Sequence, residues 1–179
     1  SRRWRRSART AAPRPWLRPR SPVAAPEDRL VMVRLAVRGE RGFEVSTVDL
    51  DRRGTTYTAD TMSDLRTAYG PQAEFYLVLG ADSLRHLHRW ERMERLIGQC
   101  VIAGVGRPGA PKPSELPEGH PGREATFVEG PMTDISATEI RRRLAAGESC
   151  AGMVPSAVER YIREKGLYGA RHERVPAER

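Results

Sequence analysis

Two short stretches of this chain are apolar at every position: Phe75-Tyr76-Leu77-Val78-Leu79 and Cys100-Val101-Ile102-Ala103. Each has the length of a strand rather than a helix, and a strand apolar on both faces asks for cover on both sides. Between them lies a segment that reads as one helix, from about Ser83 to Ile97. Strands of this kind alternating with helices predict an α/β fold, a doubly wound parallel sheet with helices on both faces. In such sheets ligands bind beyond the carboxyl ends of the strands.

The flanking sequence continues the alternation. Pro26 to Arg38 predicts a helix, with proline in its first turn, Leu30, Val33 and Val37 on one face and Gly39 as a stop. Phe43 to Leu50 reads as a strand. Thr58 to Tyr69 reads as a helix with Met62 and Leu65 inward, ended by Gly70. Gly106 to Arg123 is a loop dense in glycine and proline, and Ala125 to Glu129 a strand. Thr138 to Ala146 and Pro155 to Lys165 read as helices, with Gly166 as the last stop.

Charge separates the chain into parts. Eight of its 31 lysines and arginines lie in residues 1–20, which hold no acid, so the other 23 balance the 23 acids and the net +8 belongs to a tail. A basic nucleic-acid face on the folded part therefore loses its main support. Residues 1–20, with Pro13, Pro15 and Pro19, read as a disordered or non-native tail. The folded domain is expected over residues 21–168, with a tail over 169–179. No apolar run approaches the ~20 residues of a membrane helix, so the expected setting is cytoplasmic, with no membrane and no nucleic-acid partner. Cys100 and Cys150 have no CxxC spacing and read as small hydrophobes.

Three helix starts carry candidate chemistry. In Ile135-Ser136-Ala137-Thr138-Glu139-Ile140-Arg141, Ser136 and Glu139 form a capping-box pattern. The same turn suits phosphate, because a helix N-terminus presents free amides and partial positive charge. Hydroxyls at Ser136 and Thr138 and the fork of Arg141 would add donors, while Arg142 and Arg143 read as solvated. In Leu79-Gly80-Ala81-Asp82-Ser83-Leu84, Gly80 permits close backbone approach and Asp82 either caps a helix or accepts from a ribose. Thr55-Thr56-Tyr57-Thr58 precedes a helix: Thr58 caps it, or the segment's amides and hydroxyls hold a small carboxylate. Trp90 is either half-core or a stacking surface for a heteroaromatic ring. His86 and His88 form an HxH pair without a third ligand nearby, which falls short of a zinc set.

In order, these segments resemble one family. Asp51-Arg52-Arg53-Gly54-Thr55-Thr56-Tyr57-Thr58-Ala59-Asp60-Thr61, Leu79 to Leu84 with Trp90 behind, Ile135 to Arg141, and Val154-Pro155 through Tyr161 to Tyr168 are similar to the successive motifs of bacterial nicotinate-nucleotide adenylyltransferase. That resemblance implies a Rossmann-like nucleotidyltransferase sheet. It implies transfer of the adenylyl group of ATP to nicotinate mononucleotide, giving nicotinate adenine dinucleotide and pyrophosphate in NAD biosynthesis, with Mg2+ accompanying ATP. It assigns Thr56, Tyr57, Thr58 and Trp90 to nicotinate mononucleotide, and Gly80, Asp82, Ile135, Ser136, Thr138 and Arg141 to ATP. Of these, Ser136, Thr138 and Arg141 have the catalytic role of holding phosphates. Pro15-Trp16-Leu17-Arg18 resembles the end of a phosphate-contacting loop, with Arg18 in place of a lysine. Homo-oligomerisation is left open.

The family's opening turn, G-[GS]-[TS]-F-D-P-x-H-x-G-H, has no match in residues 1–20; the histidines are His86, His88, His120 and His172. The expectation is a chain without its first βα unit and the following strand, with an open sheet edge and uncovered apolar faces. Two further readings follow: a non-catalytic nucleotide-binding protein, or transfer to another acceptor such as nicotinamide mononucleotide or pantetheine phosphate.

Overall fold

The structure, a computed structural model, describes residues 7–10, 24–52, 54–106, 111–130 and 135–170. The chain divides into two compact units, Ser1–Thr55 with Asp134–Arg179, and Thr56–Thr133. Every strand pair in either unit is parallel.

The Thr56–Thr133 unit is built on three strands, β3 (Tyr76–Gly80), β4 (Val101–Gly106) and β5 (Thr126–Glu129), in the order β3-β4-β5. Leu77 lies opposite Ile102, and Gly104 opposite Phe127. Leu79 and Ile102 bury on one face with Leu84, Leu87 and Leu116. The uncovered apolar faces expected from the unmatched opening turn are seen on this sheet. Tyr76 and Val78 are 57% and 63% exposed, and Val101 and Val128 are exposed beside them. An apolar run reports that a strand can be buried on both faces, not that both are occupied. Helix α3 (Thr58–Tyr69) buries Ala59, Met62 and Leu65 and stops at Gly70, whose φ of 83° suits glycine.

The single helix expected over Ser83–Ile97 is three pieces: α4 (Ala81–Arg85), a 3-10 turn (Leu87–Arg89) and α5 (Met93–Ile97). The reason is geometric. Leu87 and Leu96 are both fully buried, but nine residues carry a continuous α-helix through about two and a half turns and would put them on opposite sides. The chain breaks at Trp90, which is extended, and at Arg92, which is left-handed, so that both leucines turn inward.

The other unit pairs β1 (Ser7–Thr10) with β2 (Phe43–Ser46), Ser7 opposite Phe43. A strand therefore forms inside the segment expected to be a disordered or non-native tail; the rest of residues 1–20, Arg18 included, lies outside the described residues. The strand expected over Phe43–Leu50 ends at Ser46. Thr47 accepts the amides of Leu50 and Asp51 on its carbonyl and donates its hydroxyl to Asp51, closing the short helix α2 (Val48–Asp51). Asp49 and Asp51 suit that turn better than a strand. Helix α1 (Pro26–Ala36) meets α7 (Ser156–Glu164), where the Tyr161 hydroxyl donates to Asp28 at 2.7 Å. Helix α6 (Ala137–Ala146) ends at Gly147 in the left-handed region, with Glu148 N–H donating to Arg143 O. Leu144, Cys150, Val158, Ile162 and Ala170 form the core. Ala170 belongs to that core although the C-terminal tail was expected from 169; residues 171–179 lie outside the described residues.

Leu87 has no exposed surface and sits in the β3–β4 core. Leu87→Ala is expected to lower unfolding free energy by ~2–5 kcal/mol, measured by urea titration followed by circular dichroism. A loss below 1 kcal/mol would mean that the broken helix is not held by this side chain.

Candidate functional site

In the Thr56–Thr133 unit the expected residues gather at helix starts. Tyr57, not Thr58, is the N-cap of α3, and no side chain caps the helix. Its carbonyl accepts the amides of Asp60 and Thr61 at 2.9 and 3.1 Å. Thr58 is the first helical residue, so its expected capping role is not observed. The Thr56 hydroxyl is buried and has no hydrogen-bond partner among the described residues. A buried orphan hydroxyl is costly, and it marks this turn as one that gains from an incoming polar group. Arg92 stacks its guanidinium over the Tyr57 ring, 4.4 Å from the centroid.

At the carboxyl end of β3, Gly80 is the N-cap of α4, extended at φ −66°, ψ 155°. A Cβ built there meets nothing within 4 Å, so the backbone stands open to approach. Asp82 does not cap α4; it lies in the first turn, exposed, and its carboxylate has no partner among the described residues. Trp90 is half-buried, packed against the apolar clusters around Leu87 and around Met62 with Leu96. It serves the core on one side and retains exposed surface on the other.

In the second unit Ser136 is the N-cap of α6 and accepts the Glu139 amide at 3.1 Å. Only that half of the capping box forms. The Glu139 carboxylate does not return to Ser136: it accepts from Arg142 at 2.9 Å and from Arg143 at 2.8 Å. Arg142 also bridges to Glu148 at 2.8 Å, and Arg143 reaches Ser149 O at 3.5 Å. Arg142 and Arg143 are therefore ion-paired rather than simply solvated as expected. Arg141 alone of the three makes no hydrogen bond or ion pair among the described residues, and it is half-buried. Ile135, Ser136 and Thr138 are exposed at the same helix start. An open depression lined by Gly147, Ser149, Ser156, Glu159, Arg160 and Arg163 lies at the far end of α6 from Ser136.

The structure also singles out residues the sequence reading passed over. Asp60 accepts from Arg92 and from Arg95, the latter at 2.6 Å. Burial pushes its carboxyl up, but the Arg92 hydrogen bond and the two guanidinium charges outweigh it and hold the group below its ordinary value. Nothing local in the sequence announces that Arg92 turns left-handed. Among the described residues no group of three or more His, Cys, Asp or Glu could hold a metal ion, and no helix is long and apolar enough to cross a membrane.

Residues 11–143 match the cytidylyltransferase-like family. A Geobacillus thermodenitrificans protein named "Probable nicotinate-nucleotide adenylyltransferase" is 41% identical over 157 residues, covering 88% of this chain and 69% of that protein. A Saccharopolyspora erythraea protein of the same name is 41% identical over 155 residues, covering 86% of this chain and 71% of its own length. Among solved structures, Plasmodium falciparum nicotinic acid mononucleotide adenylyltransferase complexed with NaAD has the same fold, with a TM-score of 0.60 at 18% identity over 82% of this chain and 76% of that one.

Hydrogen bonds from Arg142, then Arg143, lower the Glu139 carboxyl from 4.5 to about 2. Because the folded value is depressed, the ion pairs along α6 are complete above the unfolded value and disappear as pH falls through the folded one. A carboxyl-carbon NMR titration is expected to give Glu139 a midpoint near 2. A midpoint at an ordinary glutamate value would show that the pairs do not form in solution.

Proposed function

This chain belongs to the nicotinate-nucleotide adenylyltransferase family, and we propose that it transfers the adenylyl group of ATP to nicotinate mononucleotide in NAD biosynthesis. The identity of 41% over most of the chain carries that reading. The phosphate oxygen of nicotinate mononucleotide attacks the α-phosphorus of ATP. The bond from that phosphorus to the bridging oxygen toward the β-phosphate breaks, and nicotinate adenine dinucleotide and pyrophosphate result. The nucleophile is already an anion, so positioning and charge stabilisation carry the rate rather than a general base.

The α6 start is the phosphate-holding end. Ser136 accepts from Glu139 N–H, and its own proton remains free to donate. Thr138 adds a second hydroxyl. Arg141 supplies the one guanidinium of its trio not committed to a carboxylate. Ile135 lines the approach to this helix start. The helix dipole adds partial positive charge there. Together these groups take up the charge that develops on the leaving pyrophosphate.

The pyridine end is read in the other unit. The uncapped amides at Thr58 and the partnerless Thr56 hydroxyl would hold the ring carboxylate, beside Tyr57. The exposed part of Trp90 would stack on the ring. Gly80, open to backbone approach, and Asp82, with a free carboxylate, suit the adenosine and its ribose hydroxyls. Magnesium would arrive bound to the triphosphate, whose oxygens and waters suit it, and when bound it withdraws charge from the phosphates. Dependence on ATP favours a cytoplasmic setting.

Coupled pyrophosphate release from ATP, with nicotinate mononucleotide and with nicotinamide mononucleotide, tests the reading. Turnover is expected with the nicotinate substrate, and Arg141→Ala is expected to lower kcat by ~10²–10³. Arg142→Ala, whose guanidinium is tied to Glu139 and Glu148, is expected to change kcat less than about 3-fold. Equal losses in the two variants would remove Arg141 from the phosphate role. Turnover with the nicotinamide substrate alone would assign a different acceptor.

A further inference from the structure

We propose that Arg92 is a positioning residue that clamps Tyr57 at the pyridine end and places a net positive charge beside it, favouring a ring that carries a carboxylate over one that carries a carboxamide. The substrate part of this inference rests on the reading under Proposed function; the clamp itself does not.

Four observations meet at this residue. Arg92 takes φ 59°, ψ 34° and is one of two non-glycine residues with positive φ among those described, the other being Tyr168. Its guanidinium lies 4.4 Å from the Tyr57 ring centroid. The same guanidinium donates to Asp60, whose carboxylate is only 16% exposed. Arg95 donates to the other oxygen of Asp60 at 2.6 Å and to Ser63 Oγ at 2.9 Å. One acid thus serves two arginines, leaving a surplus positive charge against the Tyr57-Thr58 turn.

Stability alone does not account for the arrangement. A left-handed arginine is strained, and the Arg92 and Arg95 side chains are each about half exposed, where ion pairs return little. What the strain accomplishes is aim. It starts α5 at Met93 and turns the guanidinium back across more than thirty residues of sequence onto the first turn of α3. Just before that turn lie the Thr56 hydroxyl, buried without a partner among the described residues, and the Tyr57 carbonyl that fixes the helix start. The ring is therefore held between a pinned cation and its own helix before any ligand arrives. A cation in this place lowers the energy of a nearby carboxylate and does nothing comparable for a neutral amide.

The test compares Arg92→Gly and Arg92→Lys with the unaltered chain. Glycine accepts the left-handed backbone without strain, so loss of the clamp is not confounded with misfolding. Lysine keeps the charge over the ring but not the fork. In the ligand-free chain, amide hydrogen exchange at Asp60 and Thr61, whose amides bond the Tyr57 carbonyl, is expected to rise ~10-fold in Arg92→Gly, with α7 unaffected. In the pyrophosphate assay, the KM for nicotinate mononucleotide is expected to rise ~10-fold while kcat and the KM for ATP stay within about 3-fold. The preference for nicotinate over nicotinamide is expected to fall by a similar factor and to return in part with lysine. Unchanged exchange at Asp60 and Thr61 overturns the clamp whatever the activity. Faster exchange with an unchanged KM and preference overturns the substrate role. Faster exchange in a chain that never forms the dinucleotide overturns the proposed function and leaves the clamp standing.

Discussion

The Thr56–Thr133 unit depends on one side chain filling a gap that two glycines leave. Leu84 is 2% exposed. A Cβ at Gly104 would come within 2.9 Å of its Cδ2, and a Cβ at Gly122 within 2.8 Å of its Cδ1. Close-packed interiors tolerate neither an extra carbon nor a void at such a point. Gly104 lies in the middle of β4 and Gly122 in the turn before β5, so Leu84 ties α4 to two parts of the sheet at once. That contact sets where α4 begins. With Leu84 fixed, Gly80 must close β3 and Asp82 must fall in the first exposed turn beyond the strand's carboxyl end, the edge where parallel sheets bind ligands. The turn at Gly80 is here positioned by packing four residues further on.

The second unit solves the corresponding problem with charge. Buried Arg163 donates to Glu159 at 2.7 Å and to Glu148 O at 2.6 Å, and Glu159 in turn accepts the Cys150 amide. This ties the stretch after α6 to α7 and satisfies backbone groups that the Leu144–Cys150–Ile162 core would otherwise strand. On the exposed side, Glu139 and Glu148 take up Arg142 and Arg143. Three consecutive arginines repel one another, and tying two of them to acids lowers that repulsion, while Arg141 has no counter-ion among the described residues. A guanidinium already paired with a carboxylate has fewer donors to offer, so Arg141 is the one of the three best placed to take a further partner.

Where the chemistry follows from residue type and a local turn, the sequence was readable. The apolar runs identify β3 and β4, Met62 and Leu65 mark the inner face of α3, and Ser136 caps α6 as its pattern requires. What escaped depended on partners far along the chain. Whether Glu139 returns to Ser136 or turns to Arg142 and Arg143 is settled by competition among three donors. The break between α4 and α5 comes from the need to bury Leu87 and Leu96 together, which no stretch between them encodes. Ser7–Thr10 looked unstructured because its composition carries no apolar period; β1 takes its order from parallel pairing with β2, a non-local interaction.

The same pattern recurs at the candidate residues of each unit. Folding usually pairs buried polar groups and spreads strain thinly, yet at each expected contact with a ligand the local accounts stay open. Among the described residues, the Thr56 hydroxyl is buried without a partner, Asp82 and Arg141 make no hydrogen bond or ion pair, and Arg92 holds a left-handed backbone. An orphaned hydroxyl costs ~1–3 kcal/mol and a left-handed non-glycine residue ~1–2 kcal/mol. Exposed ion pairs such as Arg92–Asp60 return only ~0–1 kcal/mol. A ligand that gave the Thr56 hydroxyl a partner would offset the first of these costs. Their neighbours, Arg142, Arg143, Arg95 and Arg163, are all tied down. The contrast between satisfied supports and unsatisfied contacts is what a preorganised site requires, because groups that need not rearrange on binding lose the least of their interaction energy.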